Sequence, residues 1–204
     1  METRKSSIRA GTPARQESIL KAALDCFSGL GIGATTVEDI CRESGASIGS
    51  LYHHFGSKEG VASGLFIDGV KRLNADLLRK LARCKSAEAG VRVVVTQYCD
   101  WVTKHSELAR YLLNSRDIAF SEAARSELKQ IHRDHITAVF QWFAPFVAAG
   151  DMKRLPPDTY VPIISGPIQD FTRHWLAGQT RESPSKVKHI FADAAWNAMR
   201  TGEP

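Results

Sequence analysis

The sequence predicts an all-α protein of about nine helices. Apolar residues recur every three or four positions through most of the 204 residues, which is the period of a helix with one buried face. After residue 56 no segment alternates apolar and polar side chains as a half-buried strand would. Hydrophobic residues make up 43% of the chain and charged residues 24%, a balance typical of a globular protein with a substantial core.

The most informative local pattern lies in residues 35–59. Thr35 or Thr36 can cap a first short helix by accepting a hydrogen bond from a free backbone N–H. Gly45 is predicted to end that helix, because glycine adopts the left-handed conformation without a Cβ clash.

A second short helix is predicted to begin after Ser47. Its Leu51 and Phe55 are four residues apart and can pack inward, which leaves polar, aromatic and small residues on the other faces. Two short helices joined by a glycine turn form a helix-turn-helix, predicted here at about residues 36–55. Such a motif places its second helix in the major groove of DNA.

Together with its neighbours, this motif resembles the DNA-binding domain of the tetracycline-repressor (TetR) family. The run Ile19–Phe27 leads into Gly31 as the first helix of that family does, and Ser57-Lys58-Glu59 is similar to the start of its fourth. The resemblance implies a three-helix DNA-binding head within a domain at residues 13–73, and a helical effector-binding and dimerisation bundle at residues 74–204. It also implies a homodimer that binds a palindromic operator in double-stranded DNA.

The family pattern, carried over position by position, assigns DNA contacts to nine residues. Those expected to face base edges are Ile48, Gly49, Ser50 and His53. Those expected to hold phosphates are Thr36, Ser47, Tyr52, His54 and Lys58. Ile48 offers no hydrogen bond, so a base contact there must be apolar, for example with a thymine methyl group. Glu38 departs from relatives that place a base-reading arginine there, and its carboxylate would repel phosphate.

The net charge of +5 suits a nucleic-acid partner. Arg4, Lys5, Arg9 and Arg15 form a basic N-terminal arm that can reach phosphates or a minor groove, with a solubilising tail as the alternative.

Apolar spacing predicts six further helices after the motif. They are expected over residues 61–81, 91–102, 108–112, 121–149 and 160–178, and in a last segment that opens at Ser183-Pro184-Ser185. Pro162 and Pro167 are expected to bend or divide the penultimate helix.

The resemblance implies a pocket for a small apolar or aromatic effector among the middle helices, and its aromatic and histidine residues are the candidate lining. These are Phe66, Tyr98, Trp101, His105, Tyr111, Phe120, His135, Phe140 and Phe143. For each of them a plain core position is the alternative. His135 interrupts an apolar stripe, and a buried imidazole needs a hydrogen-bond partner.

The last two helices are expected to form the dimer interface. The candidate residues are Ile164, Ile168, Phe171, Trp175, Val187, Ile190, Phe191, Ala194, Ala195 and Ala198. The alanines would let a partner helix approach closely. The alternative is an intramolecular core.

Other classes of protein fit the sequence poorly. Residues 45–49 match the G-x-S-x-G motif of serine hydrolases, but the motif requires a strand-to-helix turn and a helix is predicted before it. His132 and His135 lack the spacing of a metal-binding H-E-x-x-H motif. We therefore expect no enzyme activity, no metal and no cofactor. No segment resembles a signal peptide or a membrane span, so a cytoplasmic location is expected.

The sequence thus predicts a sequence-specific transcriptional regulator, with repression relieved by a ligand as the expected mode and activation as the alternative. A helical ligand-binding or scaffold protein without regulatory DNA binding is the alternative from another class.

Overall fold

The computed structural model describes residues 7–115 and 120–202. Within these ranges the chain forms helices joined by short loops, and its one isolated β-bridge pairs Met152 with Arg200. The helices are α1 (Ser7–Leu30), α2 (Val37–Ser44), α3 (Ile48–Phe55), α4 (Lys58–Leu81), α5 (Ala87–Lys104), α6 (Ser106–Asn114), α7 (Glu122–Ala149), α8 (Pro157–Leu176) and α9 (Pro184–Met199). The all-α prediction is confirmed, including the helix-turn-helix formed by α2 and α3.

The chain divides into two compact units. The first comprises Met1–Gly69 with Tyr111–Leu128, and the second comprises Val70–Arg110 with Lys129–Pro204. The sequence analysis divided the chain by function, into a DNA-binding domain at residues 13–73 and an effector-binding and dimerisation domain at residues 74–204. That functional division stays a prediction.

The core of the first unit is formed where α1, α2, α3 and α4 meet. Ile19, Ile40, Leu51 and Val61, one from each helix, are completely buried. Tyr111 of α6 also belongs to this unit: its ring stacks on Phe27, and its hydroxyl donates a hydrogen bond of 2.8 Å to the carbonyl of Ala62.

The contact between α3 and α4 depends on a glycine. A Cβ atom at Gly60 would lie 1.8 Å from the carbonyl oxygen of Phe55, where no carbon atom can be accommodated. At Gly64, one turn later, a Cβ atom would lie 3.0 Å from the Phe55 ring. The absence of a side chain at Gly60 therefore allows the C-terminus of α3 to lie directly against α4.

The core of the second unit is built mainly on α5, which packs against α8 and α9. Val91, Val95 and Cys99 of α5 are fully buried, and Ile168 and Ala192 are buried in the same cluster. Burial raises the pKa of the Cys99 thiol to about 12, so this cysteine stays protonated and behaves as an apolar core residue.

Pro162 and Pro167 lie inside α8, which runs as one helix from Pro157 to Leu176. The prolines therefore do not divide the helix. Ser183 is the N-cap residue of α9, and Pro184 occupies its first turn, where the missing N–H leaves no hydrogen bond unmade.

We predict that Gly60→Ala destabilises the protein by about 3 kcal/mol or more, because the new methyl group overlaps a backbone oxygen that cannot move independently. Gly49→Ala is the matched control. Gly49 lies in α3 with no atom within 4 Å of the added Cβ position, so alanine should stabilise this helix by roughly 0.5–1 kcal/mol. Urea denaturation of both variants measures the two effects. Equal stability of Gly60→Ala and Gly49→Ala would contradict the close approach of α3 to α4 at Gly60.

Candidate functional site

The ends of α2 and α3 are fixed by local hydrogen bonds. Thr36 caps α2 through a capping box, in which its side chain accepts from the N–H of Asp39 and the Asp39 carboxylate accepts from the N–H of Thr36. Gly45 ends α2 with a φ of 63°, as expected from the sequence. Ser47 then caps α3 by accepting from the N–H of Ser50 at 3.1 Å.

The capping box is electrostatically stabilised. Hydrogen bonds from the hydroxyl and the N–H of Thr36, and then the contact with Arg42, lower the pKa of Asp39 to about 2. This carboxylate therefore stays charged at every physiological pH, where it can hold the N-terminus of α2.

One face of α3 is exposed while the opposite face is buried. Leu51 is completely buried, whereas Ile48 is 46% exposed and Tyr52 is 50% exposed. Gly49 and His53 are exposed as well. These four exposed residues lie at positions i, i+1, i+4 and i+5, so they form one continuous surface, here called the α3 face.

Three of the residues predicted to contact bases or phosphates are less accessible. Ser50, His54 and Lys58 are half-buried. Nδ1 of His54 lies 3.5 Å from Nε2 of Gln16 on α1, at the limit of a hydrogen bond. The Thr36 hydroxyl already donates to Asp39 at 2.7 Å. The DNA contacts of all nine residues stay predictions.

Lys58 makes internal contacts that the sequence did not indicate. Its ammonium group donates to the carbonyl oxygens of Ile32, Gly33 and Thr35 at 2.9, 3.3 and 2.7 Å. An ammonium has three N–H donors, so all of them are used in holding the loop between α1 and α2 against the start of α4. A phosphate contact by Lys58 would have to compete with these hydrogen bonds.

The predicted basic arm lies mostly outside the described residues. Arg4 and Lys5 belong to that undescribed part, and for Arg9 only the helical backbone is described. Arg15 donates to the carbonyl of Gly45 at 3.2 Å, which ties α1 to the turn between α2 and α3.

A cavity of about 230 Å³ lies within the second unit. Residues from α4, α5, α7 and α8 form its walls. The lining consists of Leu73, Asn74, Leu77, Val94, Gln97, Tyr98, His132, His135, Ile136, Val139, Phe140, Phe143, Tyr160, Val161, Ile164, Ser165 and Gln169.

Four of the nine predicted ligand residues line this cavity: Tyr98, His135, Phe140 and Phe143. The other five lie elsewhere. Phe66 packs edge-on against Phe120 in the first unit, where Tyr111 also lies. Trp101 is buried beside His105, and neither residue belongs to the cavity wall. None of these five lines this cavity, and the ligand contacts of all nine residues stay predictions.

Burial divides the predicted dimer residues into three groups. Ile164, Ile168 and Ala195 are buried in the second unit's own core, where α8 and α9 pack on α5. Four residues are half-buried: Phe171, Trp175, Val187 and Phe191. The ring centroids of Phe171 and Phe191 are 5.3 Å apart. Ile190, Ala194 and Ala198 are exposed along one side of α9, and Ile190 is 68% exposed. We call these last three residues the α9 face.

In the described ranges, no helix is long and apolar enough to cross a membrane. The same part of the chain holds no cluster of three histidine, cysteine or acidic residues suited to a metal ion.

The helix-turn-helix region matches a known family of proteins. Residues 19–64, which include all of α2 and α3, fit the family model of bacterial regulatory proteins, tetR family. The chain therefore carries a tetR-family DNA-binding domain over these residues.

Curated relatives within the family include transcriptional repressors. KstR2 of Rhodococcus jostii is 31% identical over 103 residues, which is 50% of each chain. NicS of Pseudomonas putida is 27% identical over 160 residues, which is 76% of this chain and 72% of NicS. The chain thus spans about half the length of this KstR2 relative, and 22% of the length of KstR2 from Mycolicibacterium smegmatis.

Solved TetR structures share the fold along most of the chain. A regulator from Marinobacter aquaeolei superposes with a TM-score of 0.73 at 20% identity, covering 94% of this chain and 98% of its own. FadR of Bacillus subtilis, solved in complex with stearoyl-CoA, has a TM-score of 0.75 at 15% identity, with 89% and 98% covered. At such identities the likeness shows the fold alone.

Sequence reasoning missed two parts of the candidate site. The internal role of Lys58 depends on three loop carbonyls more than 20 positions away in the sequence, and no local pattern marks them. The cavity residues Asn74, Gln97 and Tyr160 were also missed, because none of them belongs to the aromatic and histidine residues of the middle helices.

We predict that Lys58→Met lowers the free energy of unfolding by about 1–2 kcal/mol, because the loop carbonyls lose a charged donor. Lys21→Met is the control: Lys21 is exposed on α1, and its replacement should change stability by less than about 0.5 kcal/mol. Urea denaturation measures both changes. Unaltered stability of Lys58→Met, combined with a weaker salt dependence of DNA binding, would instead assign Lys58 to a phosphate.

Proposed function

We propose that this chain is a sequence-specific DNA-binding transcriptional regulator that acts without enzyme activity in the cytoplasm. The observation that carries the proposal is the α3 face, a continuous exposed surface on the second helix of a helix-turn-helix. An exposed tyrosine and an exposed isoleucine lie one turn apart on this short helix, and DNA provides a partner for both.

The chemistry of the α3 face suggests how bases are read. The imidazole of His53 can donate or accept a hydrogen bond at a base edge. Ile48 can contact only apolar groups, so the thymine methyl group is its expected partner. Tyr52 carries a hydroxyl that can donate to a phosphate oxygen, which positions α3 without distinguishing one base from another.

We propose that the regulator is a homodimer. One α3 helix can contact only a few base pairs, whereas two helices related by a two-fold axis read a palindrome whose half-sites are roughly 34–36 Å apart. The α9 face supports this part of the proposal, because it is apolar and exposed and two of its three residues are alanines. Such a surface suits close approach of the same helix in a second copy.

We propose that the cavity in the second unit binds an effector whose presence weakens DNA binding, so that the regulator is a repressor released by its ligand. Two curated relatives are named transcriptional repressors, and the FadR relative binds stearoyl-CoA in its crystal structure. Effector and DNA must then weaken each other's binding by the same factor, typically about 5- to 150-fold.

A selection of binding sites from random DNA duplexes tests DNA recognition. We expect enriched palindromic sequences, since two α3 faces would bind equivalent half-sites. Binding should weaken as salt concentration rises, because phosphate contacts release counterions. A selection that enriches no sequence would favour the alternative, a helical ligand-binding or scaffold protein.

Two substitutions on the α3 face should separate base recognition from phosphate binding. His53→Ala is expected to change which bases are preferred, with a loss of about 1–3 kcal/mol at the affected position. Tyr52→Phe, which removes only the hydroxyl, is expected to weaken binding to all sequences by a similar factor. Repeating the selection and the affinity titration with each variant distinguishes the two effects.

The substitution Ala194→Glu tests the predicted dimer. A charge on the α9 face would be buried twice in a symmetric interface, so we expect the dimer dissociation constant to rise by at least about tenfold. Light scattering measures the change. Ala123→Glu, the same substitution at an exposed alanine of α7, is the control that should leave the dimer intact.

The same change at Ala195 is not a test of the interface. Ala195 is only 4% exposed, so a glutamate there would disrupt the intramolecular core. If the dimer survives Ala194→Glu unchanged, the α9 face is not the dimer interface.

A further inference from the structure

The cavity wall has no permanently charged side chain. Its 17 residues include no lysine, arginine, aspartate or glutamate. Burial, and then the neighbouring His132, lower the pKa of His135, so this imidazole is neutral at physiological pH. A charged ligand group would therefore lose its hydration in the cavity without gaining an opposite charge.

The carboxylate of Asp76, which is bound to a residue of the cavity wall, does not change this conclusion. Asp76 accepts a hydrogen bond of 2.9 Å from the wall residue Gln97, and it is also paired with Arg79 and Lys80. Its charge is thus already compensated within the protein.

His135 belongs to the cavity wall, and one of its buried polar atoms has no partner within the described part of the chain. Nδ1 of His135 is buried, and no protein group there forms a hydrogen bond with it. A buried polar atom without a partner costs free energy, so a ligand that satisfies it gains affinity. A hydroxyl group suits either tautomer of the imidazole, because it can donate to an unprotonated Nδ1 and accept from a protonated one.

The remaining wall is mostly apolar, and the cavity has room for a molecule of limited size. Phe140 packs edge-on against Tyr160, with 5.5 Å between the ring centroids, and both residues line the cavity. A cavity of about 150 Å³ accommodates benzene, so by proportion a cavity of about 230 Å³ accommodates roughly ten non-hydrogen atoms. This is the size of two fused aromatic rings.

We propose that the effector is an uncharged aromatic molecule of about this size that carries a hydroxyl group, and that the hydroxyl binds Nδ1 of His135. The proposal rests on the effector role proposed above for the cavity. It separates this chain from the structurally similar FadR, because a cavity of about 230 Å³ is smaller than the long acyl chain of stearoyl-CoA.

Calorimetric titration of the full chain without DNA tests the proposal with three probes of equal ring size. We expect 1-naphthol to bind about 3- to 10-fold more tightly than naphthalene, which lacks the hydroxyl. We expect 1-naphthoate, which is charged at neutral pH, to bind at least about tenfold more weakly than 1-naphthol. Equal affinity for naphthol and naphthalene, tighter binding of naphthoate, or no binding of any probe at millimolar concentration would each overturn the proposal.

Substitution of His135 identifies the atom that recognises the hydroxyl. His135→Leu keeps a side chain of similar size and should still bind naphthalene, so retained naphthalene binding shows that the cavity is intact. The preference for naphthol over naphthalene should disappear in this variant. His174→Leu is the matched control, because His174 is exposed on α8 and does not line the cavity, so the preference should persist. If His135→Leu still prefers naphthol over naphthalene, the assignment of the hydroxyl contact to His135 is overturned.

A second titration with a selected DNA duplex separates this inference from the proposed function. If 1-naphthol binds as expected but DNA leaves its affinity unchanged, the ligand class stands and the regulatory role of the cavity fails. If naphthol binds no better than naphthalene while the protein still selects a palindrome, DNA recognition stands and the ligand class fails.

Discussion

Two helices of eight residues each form the candidate DNA-binding motif, and neither could remain folded alone. Their stability must come from contacts outside the motif. Ile40 and Leu51 supply the buried side chains, and Gly60 allows the end of α3 to touch α4. Lys58 and Arg15 add hydrogen bonds to loop carbonyls on either side of α2. The orientation of the α3 face therefore depends on α1 and α4 as much as on the motif itself.

The second unit uses its helices for two purposes at once. Ala195 of α9 is packed on α5, while Ala194, the adjacent residue, is exposed. A helix that must both complete a core and present a surface needs small residues on both sides, which is why α9 is rich in alanine all around. The Ile164 and Ile168 stripe of α8 is buried in the core, and Ile164 also lines the cavity.

The cavity illustrates how uncharged surroundings restrict chemistry. Aromatic and aliphatic side chains form most of its wall, and amide, hydroxyl and imidazole groups supply the polar contacts. In such an environment hydrogen bonds discriminate between ligands, and full charges are excluded by their desolvation cost. His135 is the residue where this matters most, since its Nδ1 is buried without a partner from the described chain.

Local sequence patterns by themselves determined the helical fold, the extent of the helix-turn-helix and its caps at Gly45 and Ser47, because these features depend on neighbours within about four residues. They left the cap of α2 open between Thr35 and Thr36, and the structure decided for Thr36. The tertiary structure alone decided which apolar stripe is core and which is surface, as at Ala195 and Ala194. It also decided that only four of nine candidate residues line the cavity, and that Lys58 holds a loop. These outcomes depend on residues far apart in the chain, and helical periodicity shows that a side chain faces inward without showing what it meets there.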